Sequence, residues 1–301
     1  MSETGTSRLG ATQSGATAAV PAGAVLPGLL WSGTLTAVSS IAHGGQTRGI
    51  TTLLRREVMC QPDGSLAHVP VISGNALRGR LRRIGEELLR GQLRYDGELS
   101  AGAAHVLRGG GALVKTGREP LSGSRLARVR ELVPQIAVFG GSGAGTIIGG
   151  ALDVGKVIPH VLETNHITGA AGTRSTFAAT QLEDYSRQDD TDAHDFTDHT
   201  DDGSSSDSRQ MRFHVETFPA GTQFSCWLRL RWPTPLEVDF FHDVLAVFDV
   251  DGRLGGRIGI GHGQVSAQWA VTPEPPAPAG LWRPWVDKHR DEILTVLGEF
   301  A

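Results

Sequence analysis

The sequence lacks the features of secreted and membrane proteins. Only two cysteines, Cys60 and Cys226, occur in 301 residues, which is too few for a disulfide framework. No charged and then apolar leader opens the chain, and no apolar run approaches the roughly 18 residues that cross a bilayer. We therefore expect a soluble, cytoplasmic protein with no membrane partner.

Motifs for nucleotide hydrolysis and covalent catalysis are also missing. The chain has no Gly-Lys-Ser/Thr of a P-loop, no G-x-G-x-x-G spacing in its glycine-rich loops and no Gly-x-Ser-x-Gly elbow. The eleven histidines are scattered, and acid pairs such as Asp189/Asp190 are more typical of solvated charge than of a two-metal centre. We expect no catalytic residue, no metal site and no cofactor.

Aromatic residues are scarce, at 6% of the chain. The aromatic-rich motif with which RNA-recognition sheets stack bases is absent. Base recognition is therefore not the expected mode of nucleic-acid binding. Arginines and glycine loops favour contact with a sugar–phosphate backbone, which leaves the bases free to pair.

The net charge of −4 conceals a segregation along the chain. Residues 46–94 hold nine arginines against four acids, a local charge of +5, whereas residues 181–207 hold ten acids against one arginine, a charge of −9. Without the second block the remaining chain carries +5. A basic body with an acidic appendage is compatible with a polyanionic partner for the body.

The stretch Val69–Arg83 is the most informative, because a short apolar strand runs through Ser73, Gly74 and Asn75 into an arginine-rich helix. Unpaired N–H groups and the positive end of the helix dipole suit a phosphate. An ordinary amphipathic helix with solvated arginines is the alternative. The predicted apolar stripe is Leu77, Leu81, Ile84 and Leu88, with Arg78, Arg80, Arg82 and Arg83 on the other faces.

Periodicity predicts an α+β fold. Residues 1–24 are expected to be disordered, residues 161–210 form a long excursion that ends in a mobile acidic arm, and a helix with Pro284 near its start docks on the core. The element order strand, helix, strand, strand, helix, strand is that of a ferredoxin-like domain. Its predicted members are Trp31–Val38, the basic helix, Arg212–Thr217, Gln223–Arg231, Pro235–Val250 and Gln264–Val271, with an excursion of Ile50–Met59 and Ala67–Ile72 about a turn at Pro62-Asp63-Gly64.

Four motifs in a familiar order carry a family resemblance. They are Val69–Arg83, Phe139-Gly140-Gly141, Phe218-Pro219-Ala220-Gly221-Thr222 and Gly255–Val265. Over about residues 26–271 the chain resembles the CRISPR-associated RAMP superfamily, and more narrowly the backbone subunit that polymerises along guide RNA in class 1 effector complexes. Ile41–Glu57 with Ser73-Gly74-Asn75 is most similar to the type IV version.

The resemblance implies an RRM-like, ferredoxin-like palm, a long finger or thumb insertion and head-to-tail oligomerisation. The implied partners are CRISPR guide RNA, complementary target nucleic acid, further copies of the chain and other effector-complex subunits. The implied organisation is a disordered tail (1–24), the first part of the palm with the basic helix (25–160), the finger or thumb insertion with the acidic tract (161–210), the second part of the palm (211–271), and a linker with a C-terminal helix (272–301).

On this chain the phosphate-gripping element of the family matches Ser73, Gly74, Asn75 and Arg78. The family's glycine-rich loop matches Gly255, Gly256, Arg257 and Gly259, and Thr173, Arg174 and Phe177 are candidates for the tip of the thumb. The complete predicted RNA-binding set is Arg48, Arg55, Arg56, Ser73, Gly74, Asn75, Arg78, Arg82, Gly140, Gly141, Thr173, Arg174, Phe177, Gly255, Gly256, Arg257 and Gly259.

One departure bears on activity. The related type III proteins cleave target RNA with an aspartate in the loop after the first strand, where this chain has Ile41–Gln46 without an aspartate. We therefore expect a subunit that does not cut. The alternatives are a RAMP-family ribonuclease, either target-cleaving or guide-processing, for which His43 is the best acid–base residue, and an interaction protein that works through its acidic arm.

Overall fold

The computed structural model describes residues 24–111, 120–143, 145–187 and 211–300. Residues 1–23 of the predicted N-terminal tail and residues 188–207 of the acidic tract lie outside these ranges. The described chain mixes helices with antiparallel sheets, which confirms the α+β class. None of the helices in the described ranges is long and apolar enough to span a membrane.

The strands and helices alternate irregularly along the chain. The strands are β1 (Leu29–Ala37), β2 (Gly44–Arg48), β3 (Thr51–Leu54), β4 (Arg56–Cys60), β5 (Leu66–Pro70), β6 (Gly141–Gly143), β7 (Thr146–Ile148), β8 (Leu152–Val154), β9 (Ile158–Pro159), β10 (Gln181–Arg187), β11 (Met211–Thr217), β12 (Gln223–Leu230) and β13 (Val265–Thr272). The helices are α1 (Gly74–Leu93), α2 (Ala101–Gly109), α3 (Gly123–Leu132), α4 (Pro134–Phe139), α5 (Asn165–Thr168), α6 (Pro235–Val250), α7 (Trp282–Lys288) and α8 (Arg290–Gly298).

The main sheet has the order β13-β1-β12-β8, with β9 also paired to β12. Every pair is antiparallel. As the alternation predicts, Trp31, Leu35 and Ala37 of β1 are buried, and so are Phe224, Leu228 and Leu230 of β12. One face of this sheet is therefore a core face, and its other face carries the polar positions.

Helices α1 and α6 cover the core face. The predicted stripe Phe240, Phe241, Val244, Leu245 and Phe248 of α6 is buried, and the ring of Phe241 meets Trp31 edge to face at 5.2 Å between centroids. Leu77, Leu81 and Ile84 of α1 belong to the same core. Burial of these large side chains is the main stabilising contribution to the layer, at about 1.5–3 kcal/mol each.

A second sheet has the order β10-β11-β3-β2. The prediction that Arg212–Thr217 is a strand of the ferredoxin-like order is wrong, because β11 pairs with β10 and β3 in this second sheet and not with β12. On the side away from β1, β12 pairs with β8, a strand of three residues that is too short to show a period. The predicted strand 50–59 is likewise divided at Arg55, where the chain leaves β3 for the β4–β5 hairpin.

The acidic segment starts differently from the prediction. Its first seven residues, Gln181–Arg187, do not form part of a mobile arm but the edge strand β10, which pairs in register with all of β11. Backbone pairing outweighs the poor strand propensity of the acids here, because propensity is a weak prior against tertiary context.

The C-terminal segment docks on the core, as predicted, but as two helices that meet at His289 rather than one. Buried Asp239 of α6 fixes the entry to α7 by accepting hydrogen bonds from four consecutive backbone N–H groups, those of residues 279–282, at 2.6–3.1 Å. Val286, Ile293 and Leu297 are fully buried. The Asp239 carboxylate therefore caps the start of α7 and ties it to the buried helix α6.

Candidate nucleic-acid interface

The loop that follows β1, here called the central loop (residues 38–43), organises one end of the main sheet. The Ile41 N–H donates to the Phe218 carbonyl at 2.9 Å. The Gly256 N–H donates to the Ala42 carbonyl at 2.7 Å. The central loop thus lies between the turn that precedes β12 and the glycine-rich loop that precedes β13.

His43 joins the central loop to the start of α1. The Ser73 N–H donates to His43 Nε2 at 3.2 Å, while the Ser73 hydroxyl accepts from the Ala76 N–H at 3.3 Å as the N-cap. Burial, and then the charge of Arg55, lower the pKa of His43 below its usual 6.5. A neutral imidazole with Nε2 as acceptor is the form that this hydrogen bond requires.

The first turn of α1 contains no acidic residue. Its unpaired N–H groups and the positive end of the helix dipole therefore face no carboxylate of their own helix. Gly74 brings this turn close to the end of β8, since a Cβ there would lie 2.7 Å from the Val154 carbonyl oxygen. The requirement for glycine at position 74 is thus internal packing, and it places the helix start beside the central loop.

The glycine-rich loop (Gly255–Gly263) packs on the other side of the central loop. Gly255 has φ of +87°, and a Cβ there would lie 2.4 Å from the Ala42 carbonyl oxygen. Gly259 has open space around its Cβ position. Arg257 also adopts a left-handed backbone, with φ of +58°, and its guanidinium carbon stands 5.1 Å from the centroid of the Tyr185 ring.

A polar cluster of Ser40, Glu183, Tyr185, Thr217 and His262, of which Thr217 and His262 are buried and the others partly buried, holds this loop in place. His262 Nδ1 and the Ser40 hydroxyl lie 3.0 Å apart, and His262 Nε2 contacts the Tyr185 hydroxyl. Glu183 accepts from Tyr185 at 3.0 Å and from Thr217 at 2.8 Å. Burial and the Glu183 hydrogen bond raise the pKa of Tyr185 to about 12, so Tyr185 stays protonated. Its ring packs against the Arg257 guanidinium.

Three of the predicted RNA-binding arginines face solvent and are here called the open arginines: Arg48, Arg55 and Arg257. All three are exposed, and none has a carboxylate partner within the described ranges. Arg48 lies at the end of β2, and the Arg55 backbone N–H donates to the His43 carbonyl at 2.8 Å. The charges of Arg55 and Arg257 are uncompensated around the central loop, which His43 joins to the acid-free start of α1, and this arrangement attracts an anion.

The inward arginines, by contrast, are Arg56, Arg78 and Arg82, and their guanidinium groups bind atoms of the protein itself. Arg78 donates to the carbonyls of Leu152 and Phe139. Arg56 pairs with buried Glu216 through both of its terminal nitrogens. These contacts position elements of the fold, and they occupy donors that the sequence assigned to RNA.

Arg82 requires a correction, since its predicted place was a solvent face of α1. It is only 6% exposed, and it donates to the carbonyls of Phe139 and Gly140, the latter at 3.0 Å. Those carbonyls lie at the end of α4 and have no further helical turn to bind, so the guanidinium completes their hydrogen bonding. Burial and the neighbouring charge of Arg78 lower the pKa of Arg82 to about 10.

The remaining predicted residues lie outside the central-loop region. Gly140 ends α4 with φ of +64°, and its Cβ would lie 2.2 Å from the Ile148 carbonyl oxygen, while a Cβ on Gly141 would meet Val106. Thr173 and Arg174 border a cavity beside β1, and Phe177 is 92% exposed on the excursion after β9. Asn75 is exposed on the first turn of α1, facing a basic pocket shared with Arg83.

The structure thus brings together Arg55, Ser73, Gly74, Gly255, Gly256 and Arg257 around the central loop. Sequence reasoning missed the polar cluster, because its members come from four distant segments and no spacing connects them. In the described ranges no three His, Cys, Asp or Glu side chains are grouped to hold a metal ion.

Comparisons with known proteins give one informative result. No protein-family model and no curated protein matches the chain. Among solved structures, a chain from a "Type IV-B CRISPR Complex" is 32% identical, with a TM-score of 0.61, and the match covers 82% of this chain and 93% of that chain. Identity and coverage at this level extend the likeness beyond the fold to the family.

Proposed function

The chain belongs to the family of type IV CRISPR-complex subunits, and we propose that it is a non-catalytic backbone subunit that oligomerises along CRISPR guide RNA. In this role it grips the guide phosphates and leaves the base edges free to pair with complementary target nucleic acid. Further copies of the chain, arranged head to tail, and other effector-complex subunits are its protein partners.

The topology of the main sheet supports an RRM-like, ferredoxin-like palm within the RAMP superfamily. Strand β1 is followed by α1, then β8 and β12 pair, and β12 is followed by α6 and β13. This is the strand, helix, strand, strand, helix, strand order of that fold, with both helices on one face. Residues 161–210 are then the finger or thumb insertion, inserted between the two halves of the palm.

The observation that carries the proposal is the meeting of the acid-free start of α1 with the open arginines and the glycine-rich loop. Phosphates gain backbone hydrogen bonds at the helix start and charge from Arg55 and Arg257. Glycine at positions 256 and 259 keeps this surface low, so that a sugar–phosphate chain can approach the backbone. None of these groups discriminates among bases, which suits a subunit that follows a guide of variable sequence.

The geometry of His43 supports the absence of cleavage. A general base needs a free imidazole lone pair, but Nε2 of His43 accepts from the Ser73 N–H, and the lowered pKa of His43 disfavours the protonated form that a general acid needs. The side chain is thereby committed to holding the start of α1. Incubating the purified protein with a labelled RNA complementary to its guide, with and without Mg²⁺, is expected to leave the RNA intact. Site-specific cuts that disappear in His43→Ala would favour the ribonuclease instead.

The assembly can be tested by purifying the protein from its host cells at moderate salt, without nuclease, and by recording its absorbance ratio and electron micrographs. The expected result is helical particles that contain repeat-derived RNA, identified by sequencing. A nucleic-acid-free monomer that also fails to bind added single-stranded RNA would contradict the proposal.

A further inference from the structure

The face of the main sheet opposite α1 and α6 carries a cavity of its own. Here β1 presents Ser32 and Thr34, and β12 presents Ser225 and Trp227, in direct register across the two strands. These four side chains form the floor of a cavity of about 790 Å³. Its lining also includes Val154–Lys156, and Ile167 and Thr168 of α5. It is separate from the central loop, whose residues do not border it.

Trp227 is the prominent side chain of this cavity. It remains 40% exposed although it lies in a strand of the central sheet. Gly155 lies against one edge of its ring, because a Cβ at that position would be 2.4 Å from the indole nitrogen. The Gly155 N–H also donates to the Trp227 carbonyl at 2.8 Å. The indole is therefore held by its surroundings while two-fifths of the residue surface stays open.

Cations and hydroxyls surround the exposed ring. The Arg229 guanidinium carbon lies 5.5 Å from the Trp227 ring centroid, and Arg229 has no carboxylate partner in the described parts of the chain. His160 Nε2 lies 2.8 Å from the Ser225 hydroxyl, and burial lowers the pKa of His160, so the imidazole is neutral at pH 7. His160 also borders the adjacent 570 Å³ cavity, together with Arg174 and Thr34.

This combination matches the chemistry of one ligand class. An exposed indole offers a stacking surface to any base, and the hydroxyls and the neutral imidazole offer hydrogen bonds to base or ribose. Arg229 beside the ring and Arg174 in the adjacent cavity have no carboxylate partner in the described ranges and attract phosphates. Hydroxyls of Ser32, Thr34 and Ser225 lie on the floor and Val154, Ile158 and Ile167 make the walls apolar, while none of the residues that line this cavity is acidic, which suits a base with its phosphate. The observations therefore favour single-stranded nucleic acid.

We propose that the cavity over Ser32, Thr34, Ser225 and Trp227 is a second nucleic-acid contact site, where a base of single-stranded RNA stacks on Trp227. The inference rests on the proposed function only in that the ligand is RNA. It adds a contact through bases, on a different face from the backbone contacts at the central loop.

The test compares two labelled strands by fluorescence anisotropy at fixed salt: a mixed-sequence single-stranded RNA, and a base-free sugar–phosphate strand of equal length. Trp227→Ala is expected to weaken RNA binding about 5- to 100-fold, the effect of losing one stacked base, with no change for the base-free strand. Trp227→Phe is expected to retain most of the affinity. Trp232→Ala is the matched control, because Trp232 is 71% exposed but does not border the cavity.

The two proposals fail in different ways. If Trp227→Ala binds RNA as wild type does, while Arg55→Ala/Arg257→Ala weakens both strands, the stacking site is refuted and the proposed function stands. If Trp227→Ala changes only the particle mass by light scattering, the face is a protein contact and the stacking site is again refuted. A wild-type protein that binds neither strand would contradict the proposed function itself.

Discussion

The open and inward arginines lie in neighbouring parts of one structure but carry out opposite tasks. Arg55 and Arg257 are exposed beside the central loop without carboxylate partners in the described ranges, whereas Arg78 and Arg82 donate to carbonyls inside the protein. The same side chain therefore either attracts a polyanion or substitutes for missing backbone donors. Which task it performs depends on whether its guanidinium reaches solvent or the end of another element.

The largest expected effect comes from removing an inward arginine. Arg82→Ala leaves the buried Gly140 carbonyl without its guanidinium donor and the Phe139 carbonyl with Arg78 alone, so we expect a loss of about 3 kcal/mol in the free energy of unfolding. Urea unfolding measures it. Arg83→Ala is the control on the same helix, exposed and expected within about 0.5 kcal/mol of wild type. Equal losses of stability in Arg82→Ala and Arg83→Ala would contradict a structural role for the inward arginines.

The next effect separates two glycines of the glycine-rich loop. Gly255→Ala forces a Cβ to 2.4 Å from the Ala42 carbonyl oxygen at a positive φ, so a loss of more than about 1 kcal/mol is expected, with weaker RNA binding as Arg257 is displaced. Gly259→Ala has free space for its Cβ and should keep wild-type stability. Thermal unfolding measures the stability of both variants, and fluorescence anisotropy measures RNA binding by Gly255→Ala. Wild-type stability in Gly255→Ala would mean that the glycine-rich loop is not held against the central loop.

Removing open arginines is expected to change binding without changing the fold. Arg55→Ala/Arg257→Ala should keep wild-type stability and weaken binding to RNA of any sequence. The slope of log K against log salt should become shallower by about 0.7 for each lost phosphate contact. An affinity loss confined to one base, or an unchanged slope, would show that these arginines do not contact the backbone.

The smallest expected effect is on pH dependence. Because the pKa of His43 is lowered in the folded protein, the unfolded chain binds more protons near and below pH 6.5, and stability should fall as the pH falls through that window. His43→Gln should remove part of this fall, because glutamine does not titrate. Its amide oxygen can still accept from the Ser73 N–H, so the contact itself is kept. Urea unfolding at about pH 7.5 and about pH 5.5 measures the difference; an unaltered pH dependence in His43→Gln would remove His43 from the account. Burial also lowers the pKa values of His160 and His242, so these two residues contribute to the same fall in stability.

Several elements follow from the sequence alone. The alternation of β1 and β12 and the apolar stripe of α6 are local patterns that solvent exposure imposes, and the structure confirms both. The role of β8 could not be predicted, because three residues carry no period. The destination of Arg82 was equally hidden, since it depends on where α4 ends in space, and the polar cluster around His262 depends on segments that meet only after folding.

The most direct test of the account is ultraviolet cross-linking of the protein to bound single-stranded RNA, with the cross-linked peptides identified by mass spectrometry. The account predicts cross-links in the central loop, at Arg55 between β3 and β4, at the first turn of α1 and in the glycine-rich loop. Cross-links confined to α3, α7 and α8, with none at the end of the main sheet, would contradict it.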